Sequence, residues 1–435
     1  MGQSLVKHRL YLHRPGSQFI TLFAFKGAVD ADLMKAKIKE AMNAHPFLKQ
    51  KIRVDEKQEA YYEPIDKAVV DVEIDRYEPA DDEDEESLLD IALEEAKEAV
   101  AWPMDVFRGQ FMKHKLYTDG ESLVWLISSH YLGGDGQSIL YLARDVFRLM
   151  DQPEVRMEKV PHEELDSSDL PDEKSLFFLS KMRVKSLNRQ WEKKGKAFSP
   201  EDRNRMHKNY HEAYPILMNT LKLEGEVVEN LYEVARLRNI HLASLVAAAY
   251  YKATQDTDKA HFQVSTRPEH YEGVGIYQGG IQVDYPKGTS DLLELADKIS
   301  ADMTEKLNTP NMVHQSASIL MGLHPGLIDS GYYAAYDAYE NPTAKVLQGM
   351  YGLNGQGTGF QINDMGRIYE DEDFSFAKLE EVYLFAPFIS NFTRLIGLVT
   401  LDDKLFISQE AYMDQSFEKI VLERVEKSLR EIAGF

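Results

Sequence analysis

Apolar positions along this chain switch between a strand-like and a helical period. The run Phe19-Ile-Thr-Leu-Phe-Ala-Phe25 predicts a strand, and beyond the turn Lys26-Gly27-Ala28 the period changes. Met34, Ile38, Ala41 and Met42 then recur at i, i+4, i+7 and i+8, one face of a helix. Asp30 stands where an N-cap belongs, and His45-Pro46 closes the helix because proline disfavours helical geometry in the residue before it. Phe107 to Leu116 and Leu123 to Ser129 read as a hairpin around Thr118-Asp119-Gly120. The second of these strands runs into His130-Tyr-Leu-Gly-Gly-Asp-Gly-Gln-Ser138, after which Ile139, Leu142, Ala143, Val146, Phe147 and Met150 repeat with helical spacing. Ser138 is the expected cap, so this glycine-rich stretch is predicted to lie on a strand-to-helix loop.

Residues 151 to 215 are charged and dotted with Pro153, Pro161, Pro171 and Pro200, a connecting composition. A second α/β region follows. It opens with a helix over Val227 to Leu237, then a second helix in which Leu242, Leu245, Val246, Ala249, Tyr250 and Ala253 form an apolar stripe that predicts deep burial. Strands are predicted at Ala260 to Thr266, Gly279 to Asp284, Glu381 to Phe385, Leu395 to Thr400 and Leu405 to Gln409, with helices at Leu292 to Leu307 and Phe417 to Ile432. The expected division is an N-terminal lobe, residues 1–170, a connecting segment, 171–215, and a C-terminal lobe, 216–435.

Composition narrows the function. With 72 acidic against 50 basic side chains among 435 residues, the net charge of −22 repels phosphate backbones, so nucleic acid is not an expected partner. There are no cysteines, which removes thiolate chemistry and disulfides. No apolar run reaches the roughly 18 residues of a membrane span, and Met1 to Lys7 carries no signal-peptide core; the expectation is a cytoplasmic protein without a membrane partner. The acidic run Asp81 to Glu86 reads as a solvated helix start. Between Lys181 and Lys208, ten Lys or Arg face three acidic residues, a local reversal that reads either as a solvated helix face or as a receiver for an anionic ligand. His207 and His211 share a helix face without a third ligand in view, so no metal is expected. No Gly-x-Ser-x-Gly elbow accompanies Ser129-His130, and the glycines from Gly352 to Gly359 do not open a helix as a dinucleotide loop would. Gly331-Tyr-Tyr-Ala-Ala-Tyr-Asp-Ala-Tyr339 reads as packing.

Five segments in order resemble the superfamily of chloramphenicol acetyltransferase, peptide-synthetase condensation domains and alcohol acetyltransferases. Gly27-Ala-Val-Asp-Ala-Asp-Leu with His45-Pro-Phe-Leu-Lys49 is similar to the opening of condensation domains, and Trp102-Pro-Met-Asp-Val-Phe-Arg-Gly-Gln-Phe111 to the segment ahead of their motif strand. His130-Tyr-Leu-Gly-Gly-Asp-Gly aligns without a gap on His-His-x-x-x-Asp-Gly. Ile240-His-Leu-Ala-Ser-Leu with Val264-Ser-Thr-Arg-Pro-Glu resembles the second-lobe helix and arginine-ending strand, and Ile362-Asn-Asp-Met-Gly-Arg-Ile368 resembles the donor-side segment of alcohol acetyltransferases.

The resemblance implies an α/β fold of two lobes, each a mixed sheet flanked by helices, with a tunnel at their interface. It implies transfer of an acyl group from a CoA or carrier-protein phosphopantetheine thioester, a co-substrate and not a permanently bound cofactor, to a small alcohol or amine acceptor, with an acyl carrier protein as a possible partner. It assigns catalysis to Tyr131 and His130, the structural turn to Asp135, Gly136 and an Asp135–Arg267 ion pair, and donor binding to Asn363 and Gly366. Tyr131 occupies the position of the family's general-base histidine. A phenol titrating near pH 10 is a poor base at neutrality, and a positioned general base is worth about 10²–10⁴ in rate. The alternative reading is a degenerate, non-catalytic condensation-like domain that binds a partner or small ligand. Gly275-Ile-Tyr-Gln-Gly279 also lacks the asparagine that condensation domains carry there.

Overall fold

The computed structural model describes residues 3–78, 86–161, 178–254, 258–286, 288–309, 313, 319–353, 357–369, 374–387, 391–412 and 414–435. The N-terminal part runs β1 (Gln3–Ser4), α1 (Leu10–His13), β2 (Gln18–Lys26), α2 (Ala31–Ala44), β3 (Gln50–Val54), β4 (Ala60–Pro64), β5 (Val72–Arg76), α3 (Leu88–Ala99), β6 (Met112–Thr118), β7 (Ser122–His130) and α4 (Gly136–Asp151). Asp30 caps α2 through Leu33 N, as its position predicts, and α2 stops at His45. The acidic run falls largely at 79–85, outside the described residues; α3 itself starts on a Ser87–Asp90 capping box.

Two expectations here are corrected. The first hairpin strand begins at Met112 and not near Phe107, because Asp105 accepts from Arg108 N and Gly109 takes φ 88°, winding residues 106–108 into a short 3₁₀ turn. The cap of α4 is Asp135 and not Ser138: the Asp135 carboxylate accepts from Ser138 N at the third helical position.

The expected connecting segment contains two helices, α5 (Phe178–Lys194) and α6 (Pro200–Ala213). The C-terminal part follows with β8 (Leu217–Glu224), α7 (Glu226–Arg238), α8 (Leu242–Thr254), β9 (Lys259–Ser265), β10 (Gln278–Asp284), α9 (Leu292–Asn308), α10 (Pro325–Tyr336), α11 (Pro342–Met350), β11 (Phe360–Arg367), β12 (Lys378–Phe385), β13 (Arg394–Leu401), β14 (Lys404–Ala411) and α12 (Gln415–Ala433). Helix α8 is buried on nearly every side, as its apolar stripe predicts. The tyrosine-rich string lies mostly on α10 and packs against α6 and α11.

Both large sheets are mixed and flanked by helices. One has the order β12-β2-β7-β6-β5, with β5 and β6 parallel; the other runs β10-β9-β11-β13-β14-β8, with β11 parallel to both neighbours. A small sheet, β1-β4-β3, sits beside the first. Strand β12, from the C-terminal third of the chain, pairs antiparallel with β2 and so completes the N-terminal sheet. A division at residue 216 does not capture this crossing: local periodicity marks β12 as a strand but carries no information on which sheet receives it. Among the described residues no helix is long and apolar enough to cross a membrane.

At the crossing, β12 lies against β13 without a side-chain layer between them. The Leu384 carbonyl occupies the space where a Cβ on Gly397 would stand, and it accepts a short hydrogen bond from Ser408 Oγ. Gly397→Ala should therefore destabilise the protein by about 1–3 kcal/mol or more, because backbone cannot yield as a side chain does. Urea unfolding checks this; a change below about 0.5 kcal/mol would mean that the joint between the sheets is slack.

Candidate functional site

The site is built where β7 ends. Gln18 on β2 pairs with His130, and His130 N donates to Phe111 O at 2.8 Å, so the strand holds its last residue from both sides. The chain then turns through residues 131–133 into α4, and Gly134 has φ 144° and ψ 166°, backbone open to glycine. At Gly133 a Cβ would strike the Phe111 side chain.

Asp135 organises the turn. Its Oδ1 accepts from Ser138 N at 2.8 Å and from Arg267 at 2.9 Å, and its Oδ2 accepts from Tyr277 N at 2.8 Å. The ion pair expected with Arg267 is thus present, both side chains being almost wholly buried. Ser138 Oγ accepts from Arg267 at 2.7 Å and from Gly275 N at 3.0 Å; it lies 2.7 Å from both Asp135 Oδ1 and Gly275 O, one of which takes its single proton. Arg267 also donates to Gly273 O and stacks 4.5 Å from the Tyr277 ring centroid. The segment lacking the asparagine supplies backbone groups to the clamp instead. His45 supports the same loop: its Nε2 lies 3.0 Å from Asp145 on α4, and its Nδ1 accepts from Val274 N at 3.4 Å.

Successive residues of the motif face different spaces. Tyr131 borders a crevice between the lobes whose far wall carries Gln361, Asn363 and Met365 of β11. The crevice is narrow, about 20 Å³, room for about one water. Tyr131 is 3 % exposed and stacks on Tyr11 with ring centroids 4.1 Å apart. Its hydroxyl is buried without a partner in strict hydrogen-bond geometry, although the Tyr11 phenol is near enough to couple to it. Burial pushes the Tyr131 phenol well above its ordinary value, Tyr11 and Asp135 push the same way, and Arg14 opposes them.

Gly136 lies on the same crevice, where an added methyl would meet Leu384 Cδ1 at 3.1 Å. Asn363, 5 % exposed, accepts from Gln361 Nε2 at 3.0 Å. Gly366 takes φ 67° at a break in the β11–β13 register, and it is not among the residues lining the crevice.

His130 instead lines a cavity of 540 Å³ on the other side of the motif. The cavity is walled by Trp102, Pro103 and Met104, by Arg14 beyond α1, and by Arg203, His207 and His211 of α6. Leu132 N donates to His130 Nδ1 at 3.1 Å, which assigns the imidazole proton to Nε2. Burial, with Arg203 and Arg14 adding to it, lowers the His130 pKa to about 3. Burial also drives His207 well below the ordinary imidazole value, with Arg203 next in effect, and lowers His211. At neutral pH the cavity therefore holds three uncharged imidazoles, and that of His130 carries its donor on Nε2. His207 and His211, weighed from sequence as a weak metal pair, meet no metal-binding group of three or more ligands among the described residues, but they share a cavity with His130. Arg14 and Arg203 carry no motif; the basic reversal over 181–208 is the signal that pointed toward α6.

No family model and no curated protein matches the sequence. Among solved structures the chain resembles the first condensation domain of the calcium-dependent antibiotic synthetase in complex with a substrate analogue (14 % identity, 99 % of this chain and 96 % of that one, TM-score 0.63). It also resembles TRI3 trichothecene 15-O-acetyltransferase from Fusarium sporotrichioides (12 % identity, 98 % and 94 %, TM-score 0.64) and polyketide synthase associated protein 5 from Mycobacterium tuberculosis (14 % identity, 100 % and 98 %, TM-score 0.58). The chain has the two-lobed fold of the chloramphenicol acetyltransferase-like condensation superfamily.

Two measurements test the site's physics. Arg267→Ala leaves Asp135 buried without its cation and should cost about 3–5 kcal/mol; Arg267→Lys should recover only part of that, because an ammonium lacks the planar fork that reaches Asp135, Ser138 and Gly273 together. A loss under about 1 kcal/mol in denaturant unfolding would show that the clamp is dispensable. The second is a pH dependence. A histidine whose folded pKa lies near 3 and whose unfolded value lies near 6.5 loses stability as pH falls between those limits, because only the unfolded chain takes up the proton. His130→Gln should therefore reduce the slope of unfolding free energy between about pH 6 and 4 by about 1.4 kcal/mol per unit. An unchanged slope would mean that His130 protonates freely in the folded protein.

Proposed function

We propose that this chain is an acyltransferase-type protein that moves an acyl group from a CoA or carrier-protein thioester to an alcohol or amine held in the cavity beside His130. The observation that carries this reading is the gathering of three neutral imidazoles, His130, His207 and His211, in one cavity at the end of the motif strand. A general base must be uncharged at working pH, and an oxyanion needs an aimed donor. In this reading His207, on the cavity wall, takes the proton of the acceptor as its oxygen or nitrogen bonds to the thioester carbonyl, once the acceptor has uncovered the buried Nε2. His130 Nε2–H donates to the oxyanion until the C–S bond breaks, and the thiolate leaves with the proton. The catalytic assignment moves from Tyr131 to the α6 face of the motif. The thioester is a co-substrate, and no permanently bound cofactor enters the scheme. The partner is a small acceptor, with a carrier protein as the alternative source of donor.

The narrow crevice favours a second reading, a non-catalytic member that binds a ligand or partner. A pantetheine arm cannot occupy 20 Å³, and donor passage along that route requires the lobes to part where Gly136, Met365 and Leu384 meet.

Thiol release from acetyl-CoA and longer acyl-CoAs, with and without alcohols and amines, separates the two. Transfer predicts acceptor-dependent release by the wild type, retained in Tyr131→Phe and reduced about 10²–10⁴ in His207→Ala. Absence of turnover by the wild type, with gain in Tyr131→His, selects the non-catalytic reading.

A further inference from the structure

Arg203 is a cation without a counter-ion. Its guanidinium forms no ion pair or hydrogen bond among the described residues, its Nε is fully enclosed, and its one recorded contact of note is the Phe107 ring at 5.6 Å. By surface area the residue is half-buried. The carboxylates that feel its charge are committed elsewhere: Asp329 is gripped by Arg9 at 3.0 and 2.6 Å, and Asp105 caps its own turn. Arg14 faces the same cavity at 7 % exposure, with Nε unpartnered and a single side-chain hydrogen bond, to Pro387 O at 2.9 Å. The one acidic side chain on the cavity wall, Glu212, lies 3.7 Å from Lys208 and offsets that charge.

An arginine with its Nε buried unpartnered and its guanidinium without a counter-ion gains from a ligand that completes it. Both arginines line one partly open cavity in a chain of net charge −22, a local concentration of cations against the overall charge. The volume of 540 Å³ far exceeds an inorganic ion, and Trp102, Pro103 and Met104 give it an apolar wall.

The geometry points to a specific ligand class: we propose that the cavity binds an organic anion with an oxyanion head, carboxylate or phosphate monoester, seated between Arg203 and Arg14, and a hydrocarbon body against Trp102 and Met104. This rests on the acyl-transfer reading only where it names that anion as the acceptor. Binding itself requires no chemistry. The arginine fork suits either head group in bidentate geometry.

Calorimetric titration of the full chain, without any thioester, tests it with four probes: hydroxyoctanoate, octyl phosphate, methyl hydroxyoctanoate and octanol. One of the two anions should bind at least about tenfold more tightly than the uncharged probes, and the tighter anion names the head group. Arg203→Gln should abolish that preference, Arg203→Lys should restore part of it, and Arg14→Gln should weaken it independently. Arg203→Gln should also raise the melting temperature of the ligand-free protein, where a merely structural arginine would lower it. Binding of both anions no tighter than the uncharged probes, an unchanged preference in Arg203→Gln, or no binding of either anion overturns the proposal. Because turnover is not the readout, anion binding by a protein that never releases thiol leaves this inference standing and removes the transfer reading. Turnover of neutral alcohols unaffected by Arg203→Gln, with no anion bound, does the reverse.

Discussion

The Asp135–Arg267 contact is the constraint on which the rest of the site depends. One carboxylate caps α4, receives an arginine from the end of β9 and takes the amide of Tyr277, so a helix start in one lobe and a strand end in the other are fixed by a single group. An ion pair in the interior repays its desolvation only when the remaining donors and acceptors are satisfied. Here Ser138, Gly273, Gly275 and Tyr277 provide most of that satisfaction, Arg267 Nε alone of the pair's donors being buried without a partner. The direction in which β7 ends, and with it what His130 and Tyr131 face, follows from this anchorage.

Given that anchorage, the strand's alternation sends adjacent side chains to different chemistry. Tyr131 enters a narrow, aromatic interlobe crevice where burial keeps its phenol protonated. His130 enters a space that also holds two arginines, and burial first, with those arginines adding to it, keeps its imidazole neutral. In the proposed reading a neutral imidazole and a fixed cation beside each other divide the labour, the guanidinium receiving the anion and an imidazole the proton.

Much of this was legible in the sequence because it is local. The helical stripe from Met34 to Met42, the buried α8 and the Gly-Gly-Asp-Gly turn declare themselves within a few residues, and the Asp135–Arg267 pair follows from a resemblance that matches both positions. What was not legible depends on long-range placement. Nothing near Lys378 tells that β12 completes the sheet begun by β2, and the basic stretch around α6 could not be assigned to solvent or to a site until α6 was set beside His130. The capping role passed from Ser138 to Asp135 because an aspartate three residues before a serine satisfies both its amide and its hydroxyl, a geometry in which the serine is the recipient.

The tyrosine at position 131 then has a physical explanation that does not require it to react. Its amide donates to Ser17 O at 2.9 Å, and its ring stacks on Tyr11. Ser17 Oγ lies 2.9 Å from Arg14 O and 3.2 Å from Tyr11 O, binding the turn between α1 and β2 into one piece, and the Arg14 guanidinium sits 5.4 Å from the Tyr11 ring centroid before reaching Pro387. The phenol ring thus holds the short segment that delivers Arg14 to the cavity. An imidazole at 131 would offer a smaller face to Tyr11 and would place a titratable group beside that cation. The tyrosine ring thus narrows the interlobe crevice and steadies an arginine on the opposite side of the motif, two effects with one packing cause.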